Sequence, residues 1–334
     1  MHPEKTERAR QSRSPLVSVV IPTYRRDELL ERCLKSVVCQ HMPSEDFEII
    51  VVDDAAGDTV PALVRDMAQA TGIRLVALAG ARAGPAAARN TGWRNARGEI
   101  IAFIDDDAYP QGDDWLREGL RPFSVRRVAA VTGKVVVPMN GTPTDFQLNV
   151  KNLERARFIT CNAFCRRSVL ERINGFDERF RVAYREDSDL EFRIEEDGGW
   201  IVRNPNAVVV HPAPPGPFGI SLRLQRYSMF NALICKKHPD RYRELEARPP
   251  LNYYAMLALL PIVPVLLIFG LPLTAMLTAG IWALLYMEFL FRRIRHTTKQ
   301  PIHLVEMALT SLLIPPLSVY WRLRGALRFR VLFI

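Results

Sequence analysis

Glu99-Ile100-Ile101-Ala102-Phe103-Ile104-Asp105-Asp106-Asp107-Ala108-Tyr109-Pro110 is a short apolar run that ends abruptly in three carboxylates. An apolar run of this length with no polar alternation reads as a strand buried on both faces of a parallel sheet. In open α/β sheets, ligands bind outside the carboxyl ends of the strands. Three adjacent carboxylates repel one another and require solvent, a basic neighbour or a metal ion. Hard oxygen donors of this kind suit Mg²⁺ or Mn²⁺, which bridge carboxylates to substrate phosphates. The competing reading is a solvated acidic turn that caps the next helix, and the surrounding chain has to decide between them.

Upstream, the pattern repeats. Val17 to Pro22 reads as a first strand, and Asp27 caps a helix running to about Gln40 with Leu30, Leu34 and Val37 on one face. Phe47 to Val52 is a second strand, ending in Asp53-Asp54, and a polar helix follows from about Thr59 to Gln69. Ile73 to Leu78 is a third strand. Gly84-Pro85 then opens an alanine-rich helix carrying Arg89 and Asn90. Strands separated by helices at this spacing predict βαβ units and a mostly parallel sheet flanked by helices. Two of the strands end in paired carboxylates, which favours a site at the sheet's C-terminal rim. Neither a GxGxxG nor a Walker A pattern is present, so any nucleotide is held without a glycine cradle.

The chain has 334 residues and is 48% hydrophobic, enough for more than one domain. Its net charge of +9 suits phosphorylated substrates, an anionic membrane or nucleic acid. The basic residues cluster beside apolar segments and are not interleaved with aromatics, which argues against nucleic acid. Residues 1–14 read as a disordered basic arm. No apolar stretch lies near the N-terminus, so no signal peptide is expected. The five cysteines (Cys33, Cys39, Cys161, Cys165, Cys235) form no metal-ligand pattern and read as reduced thiols of a cytosolic domain.

From Leu251 to Phe291 the only charge is Glu288, and Gly270-Leu271-Pro272 divides the segment into spans of about 253–271 and 273–290. Basic residues flank the pair on both sides, at Lys236–Arg248 and Arg292–Lys299, which places both flanks in the cytoplasm. A third apolar segment, 302–321, is interrupted by Pro315-Pro316 and followed by Arg322, Arg324, Arg328 and Arg330. It reads as a re-entrant or interfacial helix whose basic tail meets anionic lipid. Residues 15–240 are thus expected to form an α/β part facing the cytoplasm, and residues 241–334 a membrane-associated part at the inner membrane.

Seven stretches in order carry a resemblance: Ser18-Val-Val-Ile-Pro-Thr-Tyr24, Val51-Val-Asp-Asp54, Gly84-Pro-Ala-Ala-Ala-Arg-Asn90, Phe103-Ile-Asp-Asp-Asp107, Thr160-Cys-Asn-Ala-Phe-Cys-Arg-Arg167, Gly175-Phe-Asp177 and Arg185-Glu-Asp-Ser-Asp-Leu-Glu-Phe-Arg193. Over roughly residues 15–240 the chain resembles the family 2 glycosyltransferases of the GT-A fold, which implies a catalytic domain over 15–240 with a nucleotide-sugar half (15–110) and an acceptor half (111–240). The resemblance implies that Pro22 and Tyr24 line the nucleobase, and that Asp53 and Asp54 contact base and ribose. It also implies that Arg89 and Asn90 lie near the nucleotide. Asp105, Asp106 and Asp107 would bind the ribose and, through Mn²⁺ or Mg²⁺, the diphosphate. Asp107 is the first choice of metal ligand and Asp106 the second, with His211 completing the set. Asp187 matches the family's catalytic base, with Glu186 beside it.

The function implied is inverting, metal-dependent transfer of a sugar from a nucleoside-diphosphate donor, of the uridine type by the family's commonest usage. The implied acceptor is a membrane-associated or lipid-linked glycan. The region after His211 is rich in proline and reads as a flap, and Gln225-Arg-Tyr-Ser228 departs from the Gln-x-x-Arg-Trp pattern of processive members. One sugar, or a few, per acceptor is expected. The alternative is an inactive scaffold that binds nucleotide sugar within a glycan assembly complex.

Overall fold

The computed structural model describes residues 14–245 and 250–333. The basic arm expected over residues 1–14 lies almost entirely outside them. The described chain forms two compact units, one holding the chain through Pro138 and Leu153–Pro212, the other Met139–Asn152 and the chain from Ala213 on.

The first unit is built on one eight-stranded sheet. In chain order its elements are β1 (Val17–Thr23), α1 (Asp27–Val38), β2 (Phe47–Asp53), α2 (Thr59–Thr71), β3 (Arg74–Ala79), α3 (Pro85–Asn95), β4 (Ile100–Phe103), β5 (Tyr109–Pro110), α4 (Trp115–Leu120) and β6 (Val128–Val136). After α5 (Asp145–Lys151), which belongs to the second unit, come β7 (Ala163–Arg166), α6 (Arg167–Ile173), α7 (Glu186–Glu196) and β8 (Trp200–Val210). The strand order is β3-β2-β1-β4-β7-β6-β8-β5. The first four strands pair in parallel, and Val17 sits opposite both Phe47 and Ile100. β7 then enters antiparallel between β4 and β6, and β8 pairs in parallel with β6.

The burial explains the apolar runs. All seven residues of β1 and of β2 are buried. Alternate side chains serve two cores. Val17, Val19, Ile21, Phe47, Ile49 and Val51 pack with Leu30, Cys33, Leu34 and Val37 of α1 and with Val60 and Val64 of α2. Val20, Ile50 and Val52 pack on the other face with Ala86, Ala88 and Trp93 of α3 and with Leu190 and Ile194 of α7. A sheet covered by helices on both faces requires this unbroken hydrophobicity. The apolar stretch Ala207–Val210 is the end of an eleven-residue β8. Its first half is hidden in the sequence by an irregularity at Asn204-Pro205-Asn206, where the register against β6 shifts.

The second unit holds α5, α8 (Ile220–Leu224), α9 (Phe230–Lys237), α10 (Leu251–Ile268), α11 (Pro272–Ile294) and α12 (Pro301–Phe329). The last three are long and apolar enough to cross a membrane. They differ in exposure: 6% and 11% of the apolar windows of α10 and α11 are buried, against 44% for α12. The break expected at Pro315-Pro316 is absent, because a single 29-residue helix runs through both prolines. Two lost N–H donors are tolerated where neighbouring elements hold the helix. Pro315 is itself buried, and one turn earlier Arg293 donates to Thr310 Oγ1 (2.8 Å) and Ser311 Oγ (2.9 Å) while pairing with Asp145 (2.8 Å).

Candidate active site

The C-terminal ends of β1, β2 and β4 open on one edge of the sheet, and the expected residues collect there. Past β4 the chain turns at Asp106-Asp107, closed by the Ala108 amide donating to the Asp105 carbonyl (3.1 Å). Asp105 and Asp107 gather with His211, while Asp106 sits against Thr23. Asp106 is buried, accepting a hydrogen bond from Thr23 Oγ1 (2.8 Å) and pairing with Arg26 Nη1 (3.2 Å). Burial and the charge of Asp107 push the Asp106 carboxyl up to about 6.

Asp105, Asp107 and His211 each offer a ligand atom, and these atoms lie within 4.8 Å of one another. Two carboxylates and an imidazole make a donor set that suits Mn²⁺ or Mg²⁺ beside a diphosphate, so the residues fit the metal implied by the sequence. The membership differs from the expectation. Asp106 is held by Thr23 and Arg26 in the turn after β4, and it is Asp105 that lies beside Asp107 and His211. His211 Nε2 lies 3.2 Å from Asp107 Oδ1, and Arg26 Nη1 donates to Asp107 Oδ2 at 2.7 Å. Burial works to raise the Asp107 carboxyl, but the hydrogen bond and charge of His211 and the charge of Arg26 hold it at about 2. Burial would lower the His211 imidazole, and Asp107 instead raises it.

Arg89, on α3, ties this group to the next. It is 2% exposed, and its guanidinium donates to Asp105 Oδ1 (2.7 Å) and Glu186 Oε1 (3.3 Å). Glu186 opens α7 from Arg185, a non-glycine residue in the left-handed region (φ 75). Burial and the neighbouring Asp187 charge push Glu186 up to about 8 against the pull of Arg89. Asp187 is partly exposed, and its Oδ1 accepts from Thr160 Oγ1 at 2.6 Å. Burial raises its carboxyl as well, with Arg89 and Thr160 opposing.

The remaining predicted residues shape the loops. Asp53 accepts from the amides of Ala55 (2.9 Å) and Gly57 (2.7 Å), closing the turn after β2. Asp54 accepts from the amides of Ala83 (3.2 Å) and Gly84 (2.9 Å), joining that turn to the start of α3. Gly84 has φ 99, and a Cβ there would come within 2.3 Å of the Arg181 carbonyl oxygen, so only glycine fits. Asn90 uses its whole amide on protein: it accepts from Trp93 Nε1 (2.8 Å) and the Phe176 amide (2.9 Å) and donates to the Phe176 carbonyl (2.9 Å) and Glu178 (2.8 Å). It clasps the Gly175–Glu178 segment and has no donor left for a nucleotide. Pro22 is buried in β1, and Tyr24 is half-exposed at its exit.

Arg26 and Thr160 were not among the expected site residues. Each lies in a stretch that did stand out, Arg26 two residues past Tyr24 and Thr160 at the head of Thr160-Cys-Asn, but nothing local reveals their distant partners.

Residues 18–176 match the family model described as Glycosyl transferase family 2. Glycosyltransferase AglE of Haloferax volcanii is 30% identical over 222 residues, covering 63% of this chain and 71% of AglE. The chain belongs to glycosyltransferase family 2. It is accordingly a transferase of glycosyl groups. A second relative is the Campylobacter jejuni GalNAc(5)-diNAcBac-PP-undecaprenol beta-1,3-glucosyltransferase, 35% identical over 94 residues, or 28% of this chain and 30% of that one. Among solved structures, the mannosyltransferase PcManGT from Pyrobaculum calidifontis, in complex with GDP-Man and Mn2+, has a TM-score of 0.58 at 24% identity, covering 90% of this chain and 88% of that one. That likeness establishes the GT-A-like fold.

Proposed function

We propose that this protein is an inverting glycosyltransferase that moves a sugar from a nucleoside-diphosphate donor to a membrane-associated, lipid-linked acceptor by single displacement. The observation that carries the reading is the buried Arg89 bridge, which sets the Asp105–Asp107–His211 group and the Glu186-Asp187 pair side by side. Asp187 is the base: it takes the proton of the acceptor hydroxyl while the acceptor oxygen bonds to the anomeric carbon. The bond from that carbon to the diphosphate breaks, and the electron pair leaves with the nucleoside diphosphate. Asp105, Asp107 and His211 would hold Mn²⁺ or Mg²⁺, which supplies Lewis-acid stabilisation of the leaving diphosphate. Glu186 and Arg89 keep Asp105 and Asp187 in register. One carboxylate placed as a base needs no glycosyl-enzyme intermediate, and the anomeric configuration inverts.

The acceptor follows from the second unit. α10, α11 and the turn between them expose Leu267, Ile268, Phe269, Leu273 and Met276, and the helical pair is flanked by basic residues. Both flanks lie in the cytoplasm by the positive-inside rule, with the catalytic unit on the same side. α12 is buried along nearly half its apolar window, which favours a helix held on protein at the interface with its basic tail on anionic lipid. One relative is named for a diphospho-undecaprenol acceptor, and the solved PcManGT carries GDP-Man and Mn2+. The test is a screen of GDP- and UDP-sugars with polyprenyl-diphosphate acceptors in Mn²⁺ and Mg²⁺, followed by NMR of the product anomer. Transfer with inversion supports the reading, and retention overturns the single displacement.

A further inference from the structure

We propose that Thr160 is a positioning residue that fixes which oxygen of Asp187 receives the acceptor's proton. The inference rests on Asp187 being the base. Thr160 Oγ1 lies 2.6 Å from Asp187 Oδ1, and the threonine is 1% exposed. A hydroxyl has one proton to give, and at this distance it is committed to Oδ1. Oδ2 is then the oxygen that meets the acceptor: the O–H bond of the acceptor breaks, its proton goes to Oδ2, and the freed pair forms the bond to the anomeric carbon.

The turn carrying Thr160 is anchored from three sides. Thr160–Asn162 is a single 3₁₀ turn leading into β7. Asn162 donates to the carbonyls of Lys134 on β6 (2.9 Å) and Ala207 on β8 (2.9 Å) and accepts from Trp115 Nε1 (2.9 Å). These bonds pin the turn to two strands and to α4, so the hydroxyl has little freedom to leave the carboxylate. A group held in this way orients a carboxylate as well as stabilising its charge. Without the hydroxyl, the charged form of Asp187 loses a hydrogen bond and keeps only its contact with the Thr160 backbone.

The test compares Thr160→Val, near-isosteric but without the hydroxyl, with Thr160→Ser, which keeps it. Nucleotide release from GDP-mannose and UDP-N-acetylglucosamine in Mn²⁺ is measured across pH, with GDP and UDP binding measured alongside. Loss of turnover in Asp187→Asn establishes the base independently of Thr160; an Asp187→Asn enzyme as active as wild type defeats the base assignment itself. Given that base, Thr160→Val is expected to lower kcat about tenfold and to move the acidic limb of the profile up by about one pH unit, with nucleotide binding unchanged. Thr160→Ser is expected to restore both. If Thr160→Val loses nucleotide binding through misfolding, Thr160→Ala carries the same expectation in a smaller side chain. An acidic limb that coincides with wild type in the valine or alanine variant, or serine falling as far as valine, overturns the proposal.

Discussion

Arg89 and Glu186 stand 97 positions apart in sequence and meet through a hydrogen bond of 3.3 Å at a place where both side chains are 2% exposed. The same guanidinium reaches Asp105 at 2.7 Å. A buried arginine between two carboxylates is strongly held by them, and each of the three depends on the others for neutralisation. Removing one partner of such a group leaves an uncompensated buried charge, at a cost of about 3–5 kcal/mol. Arg89→Ala is therefore expected to lower the unfolding free energy by about that amount, read as a drop in denaturant midpoint at unchanged slope, and to abolish transfer. Arg89→Lys is expected to rescue little, because an ammonium lacks the planar fork that spans two carboxylates.

The Glu186-Asp187 pair sets an expectation for pH. Burial raises both carboxyls, Glu186 to about 8, with the charge of Asp187 adding to the effect on Glu186. A raised carboxyl is protonated at pH values where an ordinary one is charged, and a base must be charged to act. Turnover is therefore expected to fall as pH drops, with a midpoint above the ordinary aspartate value of about 3.9. Glu186 is protonated below about pH 8, so Glu186→Gln, which mimics that form, is expected to leave the midpoint close to wild type. A kcat profile that stays flat below pH 5 would contradict the assignment.

The metal group predicts a division between Asp107 and His211 on one side and Asp106 on the other. Asp107→Asn and His211→Ala are expected to weaken Mn²⁺ binding by tenfold or more, measured by electron paramagnetic resonance in the presence of UDP or GDP. Asp106→Asn is expected to leave that affinity within a few-fold, since Asp106 faces Thr23 and Arg26. Equal losses at all three positions would show that Asp106 joins the metal after all.

How much of this was legible in the sequence depended on whether a signal was local. Strands β1 to β4 could be read because burial on both faces leaves runs with no polar interruption. β7 could not, since it is four residues long and enters antiparallel between strands far away in sequence. β8 was half read, because Asn204-Pro205-Asn206 interrupts its pattern where the register against β6 shifts. The carboxylate clusters stood out as composition, but which aspartates join the metal group depends on the turn at Asp106-Asp107 and on distant His211. Asn90 matched a nucleotide-site motif, yet its partners Phe176 and Glu178 lie 86 and 88 positions on, so its role as a clasp emerges only from the fold.

In the second unit, Arg293 donates to Asp145, Thr310 and Ser311 and joins α11, α5 and α12. Arg293→Ala strands a partly buried Asp145 and is expected to lower the thermal midpoint of the detergent-solubilised protein by several degrees. Arg292→Ala, whose partner is the half-exposed Glu288, is expected to change it little.

The base assignment is tested most directly by the turnover of Asp187→Asn with GDP or UDP binding measured in the same preparation. The asparagine keeps the shape and the Thr160 contact but cannot accept a proton. Turnover is expected to fall about 10²–10⁴-fold while nucleotide affinity stays within a few-fold of wild type. A variant that binds nucleotide and still turns over at close to the wild-type rate would contradict the account.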